Sequence, residues 1–203
     1  PRSRANGFRN MLETVKKQCR LLLADGGVTA PPFPSLVVTA DGVEAKGSFA
    51  RAQAEYLEPS ADAVDALVAE LEAKKIGIVA HFYMDPQVQG VLMAAAKRHE
   101  HVFISDSLVM ADAAVKMVRE GGCESVCVLG VDFMSENVRA ILDDAGLESA
   151  KVYRMAAEDI GCSLAEAAQD KKYYDYLAEA DGVENAVHVI YINTALDTKA
   201  NAN

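Results

Sequence analysis

Polar or reactive side chains follow four short apolar runs of this chain, at the point where each run should open into a loop. The runs cover residues 76–80, 102–104, 126–129 and 187–192. Their length and their content of Val and Ile are typical of buried strands. The segments that follow them are His81-Phe82-Tyr83, Ser105-Asp106-Ser107, Gly130-Val131-Asp132-Phe133-Met134 and Asn193-Thr194. Because an open α/β sheet binds its ligand beyond the carboxyl ends of its strands, this pattern predicts a ligand site there.

The spacing of the predicted strands is regular from Ile76 onward. Strands are expected to start near Ile76, His101, Ser125 and Lys151, at intervals of 25, 24 and 26 residues. Each interval accommodates one strand and one helix, which indicates repeated right-handed βα units. We therefore predict an α/β fold in which a parallel sheet forms the middle of a three-layer domain, with a fifth strand over 187–192.

Helix-start signals fall between the predicted strands. A helix is expected from about Ser60, and the residues expected to cap later helices are Asp85 before Pro86, Asp106 or Ser107, and Ser135. Ser163 opens the capping-box pattern S-x-x-E, which places Cys162 immediately outside a further helix.

The first 60 residues have a different character. Met11–Leu23 can form a short amphipathic helix, and Gly and Pro residues break the pattern over 26–34. Leu36–Thr39 followed by Asp41-Gly42 indicates a strand and a tight turn. We interpret residues 1–60 as a linker or the tail of an upstream unit.

Composition and charge exclude several classes of partner. A net charge of −10 offers nothing to attract phosphate backbones, so no nucleic acid is expected. No apolar stretch approaches the roughly 18 residues that span a bilayer, and no targeting segment opens the sequence, so no membrane is expected. The 4 cysteines are too few and too irregularly spaced for a secreted disulfide framework, which favours a reducing compartment. No G-x-G-x-x-G follows residues 76–80, so a dinucleotide site lacks its fingerprint.

His81 and Tyr83 are the first candidates for chemistry. They are two residues apart after a strand, so their side chains should point the same way. An imidazole and a phenol together can bind an anion and move protons. The alternative is a histidine at the edge of the core beside a packing tyrosine. Tyr191 and Asn193 alternate in the same sense and should reach the same cleft.

Two further candidates have a purely structural alternative. Ser107 and its neighbour Asp106 can cap a helix and do nothing more, or they can also offer a hydroxyl and amides to a carboxylate or phosphate. Cys162 is either an unreactive thiol or a thiolate that ligates a soft metal or an iron–sulfur cluster, and it cannot hold a metal unaided.

Five motifs in this order resemble quinolinate synthase, most closely its plant-type, plastid form. They extend from about Ile76 to the end of the sequence. The motifs are Val79-Ala80-His81-Phe82-Tyr83, Asp106-Ser107-Leu108, Gly130-Val131-Asp132-Phe133-Met134-Ser135-Glu136, Gly161-Cys162-Ser163-Leu164-Ala165 and Tyr191-Ile192-Asn193-Thr194. Two residues depart from the usual pattern. Ser105 stands where many bacterial members have glycine, and Ala195 stands where a hydroxyl residue is usual.

The resemblance implies an enzyme of de novo NAD biosynthesis that condenses iminoaspartate with dihydroxyacetone phosphate to form quinolinate. It uses a [4Fe-4S] cluster as a Lewis acid, held by one cysteine from each of three similar α/β domains around a central cavity. The implied cluster ligand is Cys162. The implied catalytic residues are His81, Tyr83 and Tyr191, and the implied substrate-binding residues are His81, Ser107, Met134, Tyr191 and Asn193.

The resemblance also implies how this sequence divides. Residues 1–60 would be a linker or the tail of an upstream, SufE-like region, residues 61–180 the first α/β domain, and residues 181–203 the start of the second. The two remaining cluster cysteines are expected beyond Asn203, so this amino-terminal piece is expected to be inactive alone. A homodimer, a functional link to L-aspartate oxidase, and a location in the plastid stroma, or in the cytoplasm for a bacterial protein, follow from the same resemblance.

Two other functions fit the same strand ends. One is a cluster-free lyase or aldolase that acts on a small phosphorylated substrate. The other is a non-catalytic α/β domain that binds a small molecule.

Overall fold

The computed structural model describes residues 35–202, which divide into two compact units with the boundary between Arg51 and Ala52. The helix predicted over Met11–Leu23 lies outside the described residues. No helix in the described part of the chain is both long and apolar enough to cross a membrane.

The described residues of the first unit form a β-hairpin. β1 (Ser35–Thr39) pairs antiparallel with β2 (Gly42–Lys46), and Thr39 lies opposite Gly42 in the register. The Thr39 hydroxyl donates to the Gly42 carbonyl at 3.0 Å, which closes the turn. The strand and tight turn expected near Asp41-Gly42 are therefore confirmed, whereas the sequence pattern does not predict β2. Helix α1 (Ser48–Leu57) follows.

The second unit contains a four-stranded parallel sheet. Its strands are β3 (Ile76–His81), β4 (Val102–Ser105), β5 (Ser125–Leu129) and β6 (Lys151–Arg154), in the order β4-β3-β5-β6. All four begin within one residue of the predicted starts. The predicted parallel α/β fold is confirmed.

The first four helices of the second unit occupy both faces of this sheet, and further helices follow β6. Their bounds are α2 (Ala61–Lys74), α3 (Pro86–Ala96), α4 (Met110–Arg119), α5 (Asp132–Asp144), α6 (Ser163–Ala167), α7 (Lys171–Ala180) and α8 (Leu196–Lys199). Successive residues of a strand point to opposite faces, and β3 shows this directly. Ile78 packs with Leu92 of α3, whereas Val79 packs with Met110 of α4 and Leu142 of α5. The two apolar clusters on opposite faces make the three layers.

Two of the predicted helix starts are correct. The Ser60 hydroxyl accepts a hydrogen bond from the Ala63 amide at 3.3 Å, directly before α2. The Asp85 carboxylate accepts one from the Gln87 amide at 2.9 Å, before the proline that opens α3.

Two helix starts differ from the prediction. Asp106 does accept from the Leu108 amide at 2.8 Å, but it caps a turn, and α4 begins only at Met110. Ser135 lies inside α5, which begins at Asp132, and its hydroxyl donates to the Asp132 carbonyl at 2.8 Å. A further predicted start is correct, because α6 begins at Ser163 with Cys162 immediately outside it. The predicted capping box is wrong, since the cap residue is Cys162 and it makes no side-chain cap hydrogen bond.

The predicted fifth strand is wrong. Residues 187–192 form no strand, and Val187 and Val189 are 73% and 83% exposed. His188 between them turns inward, where its Nδ1 lies 2.6 Å from the Asn201 carbonyl and its Nε2 lies 3.3 Å from the Tyr173 hydroxyl. A strand exists only where a neighbour completes its hydrogen bonds, and no described strand pairs with this segment.

Candidate active site

The carboxyl ends of β3 and β4 meet in register. His81 and Ser105 are the last residues of their strands and lie opposite each other. The Phe82 amide then donates to the Ser105 carbonyl at 3.1 Å, which extends the pairing one residue into the loops. Two of the polar segments that follow the apolar runs are therefore adjacent, as predicted.

His81 is a buried imidazole at this edge. It is 6% exposed, and its ring lies against the Tyr83 ring with centroids 3.6 Å apart. Its Nδ1 accepts a hydrogen bond from the Tyr83 amide at 3.4 Å, which leaves the neutral ring with its proton on Nε2. Burial lowers the pKa of His81, and the nearby Asp106 carboxylate opposes that shift. The side chain is thus a neutral donor at pH 7 and also part of the packing.

Tyr83 reaches from β3 toward the loop after β5. Tyr83 as a whole is 51% exposed, but its hydroxyl is partly shielded from water and lies 4.0 Å from the sulfur of the buried Met134. Burial raises the pKa of the Tyr83 phenol; a hydrogen bond with the Val131 backbone opposes this, and charge on Cys162 adds to it. Tyr83, Met134 and Cys162 therefore share one locality, as the sequence predicts.

A second group of predicted residues is joined by hydrogen bonds. The Ser107 hydroxyl donates to Asn193 Oδ1 at 2.5 Å, across 86 positions of the chain. Asn193 Nδ2 donates to the Tyr191 hydroxyl at 3.0 Å. Asn193 thus contacts both Ser107 and Tyr191, and the prediction that Tyr191 and Asn193 reach the cleft of His81 and Tyr83 stays a prediction. Since the Tyr191 oxygen accepts this bond, its own proton stays available for another acceptor.

Cys162 differs from the other described cysteines. Cys123 and Cys127 are buried free thiols, and burial raises the pKa of both. Cys162 is also a free thiol but only half-buried, at the edge of the core on the α4 and α5 side. No group of three or more His, Cys, Asp or Glu side chains suited to a metal occurs among residues 35–202. A single accessible thiol fits one corner of a metal site only with ligands from outside the described residues.

Two residues near the site have roles that the sequence pattern does not indicate. Gln89 of α3 donates through Nε2 to the Phe82 carbonyl and, at 3.4 Å, to the Met84 carbonyl, which braces the loop after β3. Asp132 contacts Ile160, two residues before Cys162. The sequence indicates only that Asp132 belongs to the motif after β5, and it does not indicate that Ile160 is its hydrogen-bond partner.

Cavities elsewhere on the surface do not coincide with these residues. One of about 890 Å³ is lined by α7 and by residues 183–189, and one of about 490 Å³ lies beside α4 and is lined by His101 and Lys116, among others. Neither includes the residues at the ends of β3 and β4. We place the candidate site at the strand ends because donors, an accessible thiol and a buried imidazole meet there.

The fold and the site define an α/β domain that presents neutral proton donors and one thiol at the carboxyl ends of parallel strands. Residues 64–203 match the family model described as Quinolinate synthetase A protein, so the chain belongs to that family. The resemblance seen in the motifs is thereby confirmed.

Individual relatives agree with the family match. The chain is 58% identical over 202 residues to "Quinolinate synthase, chloroplastic" of Arabidopsis thaliana, covering 98% of this chain and 28% of that protein. It is 54% identical over 204 residues to the protein of the same name from Oryza sativa subsp. japonica, covering 99% and 29%. "Quinolinate synthase" of Rippkaea orientalis is 28% identical over 155 residues, covering 74% and 41%. The chain thus spans less than a third of the length of these plant relatives.

Proposed function

We propose that this chain is part of a plastid quinolinate synthase, which condenses iminoaspartate with dihydroxyacetone phosphate to form quinolinate in NAD biosynthesis. The observation that carries the proposal is the meeting of the family's motif residues at one edge of the sheet. His81 and Ser105 end adjacent strands, Tyr83 approaches Met134, and Ser107 binds Asn193. The chloroplastic relatives support the plastid location.

The binding chemistry suits anionic substrates. Iminoaspartate carries two carboxylates and dihydroxyacetone phosphate carries a phosphate, so both need hydrogen-bond donors. His81 offers its Nε2 proton, and the Asn193 amide retains one N–H beyond the one that it gives to Tyr191. Neutral donors bind such groups without burying an unpaired positive charge.

The catalytic chemistry needs groups that hold and release protons. The raised pKa keeps the Tyr83 phenol protonated at neutral pH, so it can donate to a leaving oxygen. The Tyr191 hydroxyl accepts a hydrogen bond from Asn193 Nδ2, so its own proton is available to another acceptor. We propose His81, Tyr83 and Tyr191 as the residues that move protons, and Met134 as part of the wall that excludes water.

We propose that Cys162 ligates a [4Fe-4S] cluster together with cysteines from the rest of the full-length protein. When bound, such a cluster supplies an open iron that acts as a Lewis acid toward substrate oxygen or nitrogen. A homodimer, a functional link to L-aspartate oxidase and a location in the stroma belong to the same proposal. The division at residues 60 and 180 into an upstream SufE-like region, a first domain and the start of a second stays a prediction.

The test uses the full-length protein, reconstituted with iron and sulfide without oxygen. We expect cluster absorbance and quinolinate formation, both lost in Cys162→Ala. Cys123→Ala is the matched control, because its buried thiol faces the core and its removal should leave the cluster in place. Full activity without iron would support the cluster-free lyase or aldolase instead. Substrate binding without turnover would support a binding domain.

A further inference from the structure

Asp132 is bonded to Ile160 in both directions. The Asp132 amide donates to the Ile160 carbonyl at 3.0 Å, and its carboxylate Oδ2 accepts from the Ile160 amide at 3.1 Å. Both backbone groups of Ile160 are thereby held by one residue at the start of α5. Ile160 stands two positions before Cys162 in the chain.

The other carboxylate oxygen of Asp132 is engaged by Arg154. Its Oδ1 accepts from the guanidinium of Arg154, the last residue of β6, and the same nitrogen lies 3.2 Å from Asp159. The side chains of Arg154 and Asp132 are 30% and 29% exposed, so this ion pair is better shielded from water than a surface pair. The segment between β6 and Cys162 is therefore tied at residues 159 and 160.

The start of α5 also contacts the other side of the site. Met134, two residues after Asp132, places its sulfur 4.0 Å from the Tyr83 hydroxyl. The first turn of α5 thus contacts Tyr83 through Met134, and it contacts the segment that leads to Cys162 through Asp132.

We propose that Asp132 is a positioning residue that holds the Cys162 thiol in a fixed place relative to Tyr83. The inference rests on the proposed function for the role of Cys162 as a ligand. Without the carboxylate, the Ile160 amide loses its acceptor and the Arg154 guanidinium keeps only the exposed Asp159, so the segment before Cys162 opens more often. A thiol on an opening segment reacts faster with small reagents and retains a cluster less well.

A purely structural reading of Asp132 exists and makes a different prediction. An acidic residue in the first turn of a helix stabilises that helix through its dipole, wherever the helix leads. Asp143 is the matched control, because it belongs to the same helix and forms an ion pair with Arg139 at 2.5 Å. If Asp132 acts only through the dipole of α5, its replacement should speed amide exchange along that helix and leave residues 158–162 unchanged.

The experiment compares Asp132→Ala, Asp132→Asn and Asp143→Ala in the full-length protein. Amide hydrogen exchange is measured over residues 158–162, and the alkylation rate of Cys162 by iodoacetamide is measured by mass spectrometry in the metal-free protein. We expect Asp132→Ala to speed both by about fivefold or more, since one or two local hydrogen bonds are lost. Asp132→Asn keeps an acceptor for the Ile160 amide and should lie between the wild type and Asp132→Ala.

Cluster retention provides the functional arm. With a chelator present, the reconstituted Asp132→Ala protein should lose its cluster absorbance several-fold faster than the wild type, and Asp143→Ala should not. Unchanged exchange and alkylation in Asp132→Ala would overturn the proposal, as would equal changes in Asp143→Ala. If Asp132→Ala does not fold, Asp132→Asn and Arg154→Met decide by the same measurements. A wild type that binds no cluster would contradict the proposed function alone, because exchange and alkylation still test the positioning.

Discussion

The hydrogen bond between Ser107 and Asn193 should couple two distant segments of the chain energetically. It joins the turn before α4 to the segment before α8, and it holds Asn193 beside the turn that follows β4. Ser107→Ala, Asn193→Ala and the double variant form a cycle that isolates this contact.

The magnitude follows from the geometry. Both residues are half-buried, and the bond is neutral with an O–O distance of 2.5 Å. A neutral bond of this kind contributes about 0.5–1.5 kcal/mol net, so Ser107→Ala should cost about 1 kcal/mol of unfolding free energy. Asn193→Ala also removes the bond to Tyr191 and should cost about 1–3 kcal/mol. The coupling energy should be about 1 kcal/mol.

Urea unfolding followed by circular dichroism measures all three variants. Ser105→Ala is the control, because that hydroxyl bonds only to the carbonyl of the adjacent Asp106 at 2.8 Å. Its replacement should change the free energy by less than about 0.5 kcal/mol. Single changes that add within about 0.3 kcal/mol in the double variant would refute the tether between Ser107 and Asn193.

Three further predictions, which use four substitutions, test other parts of the structure. Burial lowers the pKa of His81 in the folded protein below 6.5, so its contribution to the free energy of unfolding should be complete above pH 6.5. That contribution should fall as the pH drops from 6.5 through the folded pKa, by up to about 1.4 kcal/mol per pH unit. His81→Phe should remove this pH dependence when urea unfolding at pH 7 and at pH 5 is compared. A methyl group in Gly130→Ala would overlap the Met134 sulfur, so thermal unfolding should show a loss of about 1 kcal/mol, and an unchanged midpoint would contradict the contact. Lys199 Nζ donates to Asn137 Oδ1 at 2.7 Å and burial lowers its pKa, so Lys199→Met should be nearly neutral at pH 7 while Asn137→Ala destabilises measurably, and the reverse order in urea unfolding would contradict this.

The sheet could be predicted because its signal is local and repeated. Apolar runs recur every 24 to 26 residues from Ile76, and each strand end then aligns with the next. The pairing of His81 with Ser105 needs no more information than this, since parallel strands of similar length end at the same edge. The same logic explains why the residues after β3, β4 and β5 meet.

The segment 187–192 shows where local signals fail. Its Val and Ile content favours a strand, but β-propensity largely reflects packing against neighbouring strands, and no described strand lies beside it. The start of α5 fails for a related reason. Ser135 has the better local cap chemistry, yet the helix begins three residues earlier, where Asp132 is held by Ile160. In both cases, contacts with distant parts of the chain determine whether the element forms and where it begins.

The site residues divide into two bonded groups that depend on one feature of the fold. Ser107, Asn193 and Tyr191 form one group and present amide and hydroxyl donors, whereas Tyr83 lies with Met134 near Cys162 and presents a phenol beside a thiol. The register of β3 with β4 sets the separation of the groups, because Tyr83 follows one strand and Ser107 the other. A change within one group can therefore alter its hydrogen bonds without moving the other group. A change that shifts the strand register moves both at once.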